Sequence, residues 1–318
     1  VLIDLSANES PYEHMEKEFK FPTKELNRYV SHTELEAMLK ELSAYTGCDQ
    51  KHIFVGPGTD YLIQKILLNN FMDRSLVILN PNFYGFTSFA KKLNMKIKRI
   101  QLKPPEFKID WAGMGIEKSI IVVDNPNNPT GKLMIDKDEL EKLLVDNIVI
   151  IDEAGFEYSD STFADMVKDC GNLCITRTLD KAFGLAGLKV AYMLVGQAIS
   201  DKLNKGADIN RPALTISTEA IRNRQYMLDT VGNTLAEKRI LSKELEKLGF
   251  KVYESQANYL MAYTEVKDLG LKLKSKEILI GDLSETWLRG YYRISVGNGK
   301  ENAALINELK AITITGTQ

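Results

Sequence analysis

The order of elements predicts an α/β protein, with a mostly parallel central sheet in a large lobe and a smaller α+β lobe at the C-terminal end. Three observations carry this. The chain has 318 residues, about right for two lobes where domains run roughly 100 to 200 residues each. From Ile53 onward, short β-branched runs without polar alternation are separated by stretches of helical periodicity, the pattern of strands covered on both faces. After Ile199 that alternation gives way to long helical stretches and then to a second set of strands.

In order, His52 to Gly56 reads as a strand, Thr59 to Phe71 as an amphipathic helix, Leu76 to Leu79 as a strand and Tyr84 to Leu93 as a helix. Lys96 to Leu102, Ile120 to Asp124, Ile148 to Asp152 and Leu173 to Thr176 are further strands. Asp136 to Val145 is a helix between two of them, and Phe163 to Val167 a helix or loop. Thr218 to Leu248 mixes Glu and Lys with Leu and Ile at helical spacing and predicts one long helix. The small lobe follows, with strands near Phe250 to Tyr253, Tyr259 to Ala262, Ile278 to Ile280 and Tyr292 to Val296, and a closing helix from Glu301. The predicted division is an N-terminal arm over 1–25, a large domain over 26–210 and a small domain over 211–318.

Composition narrows the function classes. Hydrophobic residues at 44% and charged residues at 26% are ordinary for a globular chain. A net charge of -2 with no basic stripe argues against nucleic acid as a partner. The longest apolar runs, such as Ser119 to Val123, are strand-length, far short of the about 20 residues a membrane helix needs. Cys48, Cys170 and Cys174 form no even framework and lie apart from His14, His32 and His52, so neither a disulfide scaffold nor a metal site is expected. No signal-peptide pattern opens the sequence at Val1, and a cytoplasmic location is expected.

In a doubly wound sheet, ligands gather beyond the carboxyl ends of the strands, so the residues just after each strand carry the chemistry. Gly56-Pro57-Gly58-Thr59-Asp60 leads from a strand into a helix whose free N–H groups suit a phosphate, although alone it reads as readily as a capped turn. Asn125-Pro126-Asn127-Asn128-Pro129-Thr130-Gly131 fixes a turn that holds an Asn amide in one orientation. Asp152 ends an apolar strand, where a carboxylate needs a charged or hydrogen-bonded partner. Thr178 to Gly187 sets Lys181 among small and apolar residues, where desolvation lowers an amine pKa and favours imine chemistry.

Together with Ser6 to Pro11, Leu26-Asn27-Arg28-Tyr29 and Tyr292-Arg293-Ile294-Ser295-Val296-Gly297, these segments resemble the fold-type I pyridoxal-phosphate enzymes, specifically the histidinol-phosphate aminotransferase group. The resemblance runs through nearly the whole chain, each piece in order and at compatible spacing. It implies that Lys181 carries pyridoxal 5'-phosphate as a Schiff base and then moves the proton at the substrate carbon. It implies further that Asp152 pairs with the pyridine nitrogen, Asn128 binds the ring 3-oxygen and Tyr84 stacks on the ring. Gly58, Thr59, Asp60, Thr178 and Lys189 would cradle the phosphate, with Tyr29 contributed by a neighbouring subunit of a homodimer that shares its active sites. Arg293 would grip a substrate carboxylate or phosphate, with Asn8 and Asn258 lining the same pocket. The implied reaction moves an amino group between an amine donor, histidinol phosphate being the first candidate, and 2-oxoglutarate, which places the chain in histidine biosynthesis.

Four positions depart from the family's pattern. Gly155 stands where a tyrosine is usual, leaving the ring 3-oxygen to Asn128 or to Tyr158 reaching back. Lys189 replaces an arginine, keeping the charge without the bidentate fork. Asp180 replaces a serine or threonine beside the phosphate. Gly281 replaces a second substrate-binding arginine, for which Arg211 or Arg289 could compensate. The alternatives are therefore an aromatic amino acid donor, a reaction like that of the threonine-phosphate decarboxylases, or a cofactor-binding regulator without catalysis.

Overall fold

The structure is a computed structural model that describes residues 2–13, 25–69, 74–82, 84–204, 206, 208–284 and 286–315. Two sheets organise it. The larger has seven strands: β2 (Ile53–Gly56), β3 (Ser75–Asn80), β4 (Ile97–Gln101), β5 (Ser119–Asp124), β6 (Ile148–Asp152), β7 (Leu173–Thr178) and β8 (Ala191–Val195). Their spatial order is β2-β8-β7-β6-β5-β3-β4. The run β4-β3-β5-β6-β7 is parallel, and β8 is antiparallel to both β7 and β2. In register, Asp124 lies beside Asp152 and Asp152 beside Thr176, so the carboxyl ends of β5, β6 and β7 are level.

Both faces of this sheet are covered, which explains strands that read as continuous apolar runs. Along β5, Ile120 and Val122 pack into one core while Ile121 and Val123 pack into the other. Helices α1 (His32–Thr46) and α4 (Lys137–Leu144) contribute Leu35, Met38, Leu39, Leu42, Leu140 and Leu143 to the first core. Helices α2 (Thr59–Leu68) and α3 (Tyr84–Lys92) contribute Leu62, Ile63, Ile66, Phe86 and Ala90 to the second. Two single-turn helices, α5 (Phe156–Ser159) and α6 (Gln197–Ser200), follow β6 and β8.

The stretch expected as one helix over 218–248 is two. Helix α7 (Arg211–Arg222) ends at Asn223 and α8 (Gln225–Lys247) begins past Arg224. The smaller sheet has the order β1-β11-β12-β10-β9 and contains β1 (Ile3–Leu5), β9 (Lys251–Val252), β10 (Tyr259–Tyr263), β11 (Ile278–Asp282) and β12 (Tyr291–Ser295). It packs on α8, α9 (Leu269–Lys274) and α10 (Gly299–Thr315) through a third core that includes Leu241, Leu245, Leu260, Ile294, Leu305 and Leu309. Strand β1 lies parallel to β11, so the N-terminal end of the chain is carried directly to the small sheet.

Candidate active site

A cavity of about 550 Å³ lies between the two sheets, where the carboxyl ends of β5, β6 and β7 meet the N-terminus of α2 and residues 257–259, 283–288 and 293. Of the residues singled out from sequence, Asn8, Gly58, Thr59, Asp60, Asn128, Asp152, Thr178, Lys181, Lys189, Asn258 and Arg293 all line it. The Tyr84 side chain lies outside the described residues. Tyr29 is 99% exposed and does not line the cavity of its own chain.

The floor is acidic and dry. Asp152 is buried and accepts a 2.9 Å hydrogen bond from Thr176 Oγ1. Burial pushes its carboxyl up to about 7, partly offset by the Thr176 hydroxyl and reinforced by Asp124. Such a carboxylate is incompletely compensated by its own chain, and a cationic ring nitrogen set against it would hold it ionised. Behind it, Glu153 and Arg177 form a buried ion pair at 2.8 Å. Glu153 also accepts from Thr162 Oγ1 at 2.8 Å and from the Phe163 N–H at 2.7 Å, and the Arg177 guanidinium lies 3.5 Å from the Phe156 ring centre. Sequence reading noticed Glu153 only as the neighbour of Asp152. Its partner stands on the adjacent strand 24 residues away, and no local signal announces it.

The Asn-Pro-Asn-Asn-Pro-Thr-Gly turn is built on Asp124, whose two oxygens accept from Asn127 Nδ2 at 2.9 Å and from the Asn128 N–H at 2.8 Å. Gly131 has φ +72°, and a Cβ there would lie 2.1 Å from Ser255 Oγ, so only glycine lets the small-lobe loop approach. Tyr259 reaches across to donate to the Asn127 carbonyl at 2.9 Å. The turn thus sets Asn128 between two groups: its Oδ1 accepts from Arg293 Nη1 at 2.8 Å, which leaves its Nδ2 as a donor.

Arg293 is fixed from several sides. Its Nη2 donates to the Ser6 carbonyl, and its Nε is buried without a partner. Burial lowers its pKa, and Tyr259 opposes this. Asn8 and Asn258 complete that wall: Asn258 Nδ2 donates to the Asn8 carbonyl at 3.0 Å, and the Asn8 N–H donates to Ser295 Oγ at 2.9 Å. Gly281 faces Arg293 across the ladder, and a Cβ there would meet Arg293 O at 3.0 Å and Nε at 3.5 Å. An arginine at 281 would therefore start beside Arg293. Neither suggested substitute fills that place. Arg211 is committed to Glu34 at 2.6 Å and to the carbonyls of Glu25, Arg28 and Tyr29, while Arg289 is exposed and does not line the cavity.

At the opposite end, Gly58 has φ +99°, and a side chain there would strike Asp60 Oδ1 at 2.6 Å and Lys189 Cε at 2.9 Å. The gap exposes the first-turn N–H groups of α2, which have no carbonyl one turn back inside the helix. Lys189 Nζ stands 3.8 Å from Asp60 Oδ2. Between the two ends lies Lys181, whose amine donates to the Ala7 carbonyl at 3.4 Å. Burial lowers its pKa, while Asp180 raises it and Arg293 lowers it further.

Gly155 leaves room: a Cβ there would meet nothing closer than Pro126 Cδ at 3.9 Å. Tyr158 does not reach back toward the cavity. It is 4% exposed in the core on the α1 side of the sheet, with its hydroxyl lacking a hydrogen-bond partner. Leu283, Thr286 and Leu288 line the small-lobe side and were not anticipated, because they belong to a loop between two strands with no motif of its own.

A lysine with a depressed pKa, a buried acid without a full complement of partners, a glycine-opened helix N-terminus and an arginine with a spare N–H fit a phosphorylated aromatic aldehyde and an anionic amine. The comparisons agree. The family model for class I and II aminotransferases matches residues 1–309. A histidinol-phosphate aminotransferase of Sulfurisphaera tokodaii is 30% identical over 99% of this chain and 91% of its own, and one of Thermoanaerobacter pseudethanolicus is 32% identical over 98% and 93%. Among solved structures, a histidinol-phosphate aminotransferase of Sinorhizobium meliloti in complex with pyridoxal 5'-phosphate shares the fold with a TM-score of 0.85 at 18% identity, over 98% of this chain and 91% of that one. The chain is therefore a fold-type I enzyme belonging to the class I and II aminotransferase family, within its histidinol-phosphate aminotransferase group.

Proposed function

We propose that this aminotransferase binds pyridoxal 5'-phosphate in the cavity and moves an amino group between an anionic amine, histidinol phosphate first among candidates, and 2-oxoglutarate. The observation that carries this is the convergence of Lys181, Asp152 and Arg293 on one cavity. When bound, the cofactor supplies a carbonyl for the substrate amine and a ring that accepts electrons. The chain supplies the rest. Gly58, Thr59, Asp60, Thr178 and Lys189 hold the phosphate, and Asp152 keeps the ring nitrogen protonated. Asn128, its Oδ1 engaged by Arg293, turns its Nδ2 toward the 3-oxygen. Lys181 Nζ, deprotonated by burial, takes the proton from the donor's amine-bearing carbon and returns one on the other side of the transfer. Arg293 holds the donor's anion with its open Nε edge, so donor and acceptor are gripped by the same side chain in turn.

Tyr29 is assigned to the phosphate of a second copy in a homodimer. Its exposure and the anchoring of its backbone carbonyl by Arg211 at 2.9 Å suit a side chain presented outward from a fixed base. The three free cysteines suit a reducing, cytoplasmic setting. An aromatic amino acid is the second donor, favoured by Leu283 and Leu288 on the substrate side and by Gly281 beside Arg293. The test is a titration of the cofactor-loaded protein with L-histidinol phosphate and, separately, L-phenylalanine, following bleaching of the visible band. Bleaching by histidinol phosphate supports the first donor and bleaching by phenylalanine the second. Bleaching by neither removes both.

A further inference from the structure

The phosphate end of the cavity holds one feature that its assigned role does not explain. Asp180, directly before Lys181, lines the cavity, and its Oδ1 is buried with no hydrogen-bond partner. Its backbone N–H is tied to Thr178 Oγ1 at 3.1 Å, so the carboxyl cannot swing out without breaking the turn that positions Lys181. The Thr178 hydroxyl donates to the Val190 carbonyl at 3.2 Å and also faces the Asp180 carboxyl. The charged groups around Asp180 are Lys181 beside it, Lys189 after the loop, and Asp60 on α2. Lys181 is reserved for the cofactor's carbonyl. Lys189 already leans toward Asp60. A phosphate dianion entering here would meet one ammonium against two carboxylates, an arrangement that repels it if both carboxylates are ionised.

We propose that Asp180 binds the cofactor phosphate as a neutral acid, donating a hydrogen bond from its carboxyl group to a phosphate oxygen, so that phosphate capture takes up a proton from solvent at this residue. The inference rests on the cofactor reading above. Burial already pushes the Asp180 carboxyl above the usual carboxylate range, while Thr178, Lys181 and Lys189 hold it down and Asp60 raises it. A nearby anionic phosphate acts in the raising direction. The donor that a hydroxyl could supply at any pH is thus supplied here only while the acid keeps its proton, and the affinity it contributes is lost as pH rises through the carboxyl's pKa in the complex.

The experiment measures binding of pyridoxamine 5'-phosphate, which has no aldehyde to react with Lys181, to the full-length protein freed of cofactor. Calorimetry from pH 6 to 9, in two buffers of different ionisation enthalpy, compares the unaltered chain with Asp180→Asn and Asp180→Ser. The expected result is a dissociation constant that rises with pH relative to both variants, approaching about tenfold per pH unit where the acid ionises. Proton uptake on binding should be present in the unaltered chain and reduced in both variants, which keep a donor at every pH. A ratio of constants independent of pH, or the same proton uptake in all three chains, would overturn the inference. Binding by none of the three at any pH would remove the cofactor reading itself and this inference with it. Asp180→Ser serves where Asp180→Asn fails to fold.

Discussion

Replacing Arg293 by alanine probes the substrate end of the cavity. In the free protein its Nη1 is bound to Asn128 Oδ1 at 2.8 Å and its Nη2 to the Ser6 carbonyl, while Nε has no partner. A carboxylate or phosphate arriving there gains a charge-assisted hydrogen bond worth roughly 1.5 to 3 kcal/mol, in a site where burial has removed the competing water. Alanine leaves the incoming anion unpaired, and truncating one partner of such a buried charged pair costs about 2 to 5 kcal/mol. At about 1.4 kcal/mol per tenfold, the dissociation constants of glutamate and 2-oxoglutarate should rise by factors from about 30 to several thousand. Arg293→Lys keeps the charge without the planar fork and should fall between. The assay is a half-reaction titration in each direction, read from the visible band of the bound cofactor. If both constants stay unchanged in Arg293→Ala, the anion site lies elsewhere and the argument from the open Nε is wrong.

Other consequences concern the scaffold behind the cavity. Glu153→Ala strands the Arg177 guanidinium in the core and should destabilise the fold by about 3 to 5 kcal/mol. Urea denaturation would measure it, and a loss below about 1 kcal/mol would mean that the pair is better hydrated than its burial implies. Glu157 is pushed up to about 7 by burial, with Arg177 and Tyr45 opposing, and its Oε2 has no partner. Because the folded value lies above the ordinary 4.5, the protonated form's contribution is fully present below the unfolded value and is lost as pH rises through about 7. Glu157→Gln should therefore match the unaltered chain in stability at pH 4.5 and exceed it at pH 8 by on the order of 2 kcal/mol. Equal stability at pH 8 would place Glu157 in contact with solvent.

Much of this architecture was legible because its signals are local. The five parallel strands announce themselves as apolar runs, since each is buried on both faces, and the residues that follow them carry the motifs that turned out to share one cavity. Elements defined by distant partners were not legible. Strand β1 is three residues long and exists through pairing with β11, some 275 positions later. Strand β8 follows the lysine loop without a crossover helix, so its apolar run reads as the tail of the motif. Helix α1 did carry a readable start, Ser31 with Glu34 in a capping box, but it stands before the alternation that drew attention. The break between α7 and α8 at Asn223 interrupts a periodicity that charged residues otherwise sustain. At the cavity, the Glu153–Arg177 pair and the Leu283 to Leu288 wall depend on tertiary approach alone.

The most direct test of the central claim is the visible spectrum and half-reaction of Lys181→Ala, loaded with pyridoxal 5'-phosphate and compared with the unaltered chain. Replacement should abolish the band of the lysine-bound cofactor and lower transfer from glutamate by at least about a hundredfold, the lower end of what a positioned proton-transfer group contributes. The fold should persist, because Lys181 makes only one long hydrogen bond, 3.4 Å to the Ala7 carbonyl. A folded variant that keeps the band, or turns over at the unaltered rate, would contradict the assignment of Lys181 and with it the chemistry proposed for this cavity.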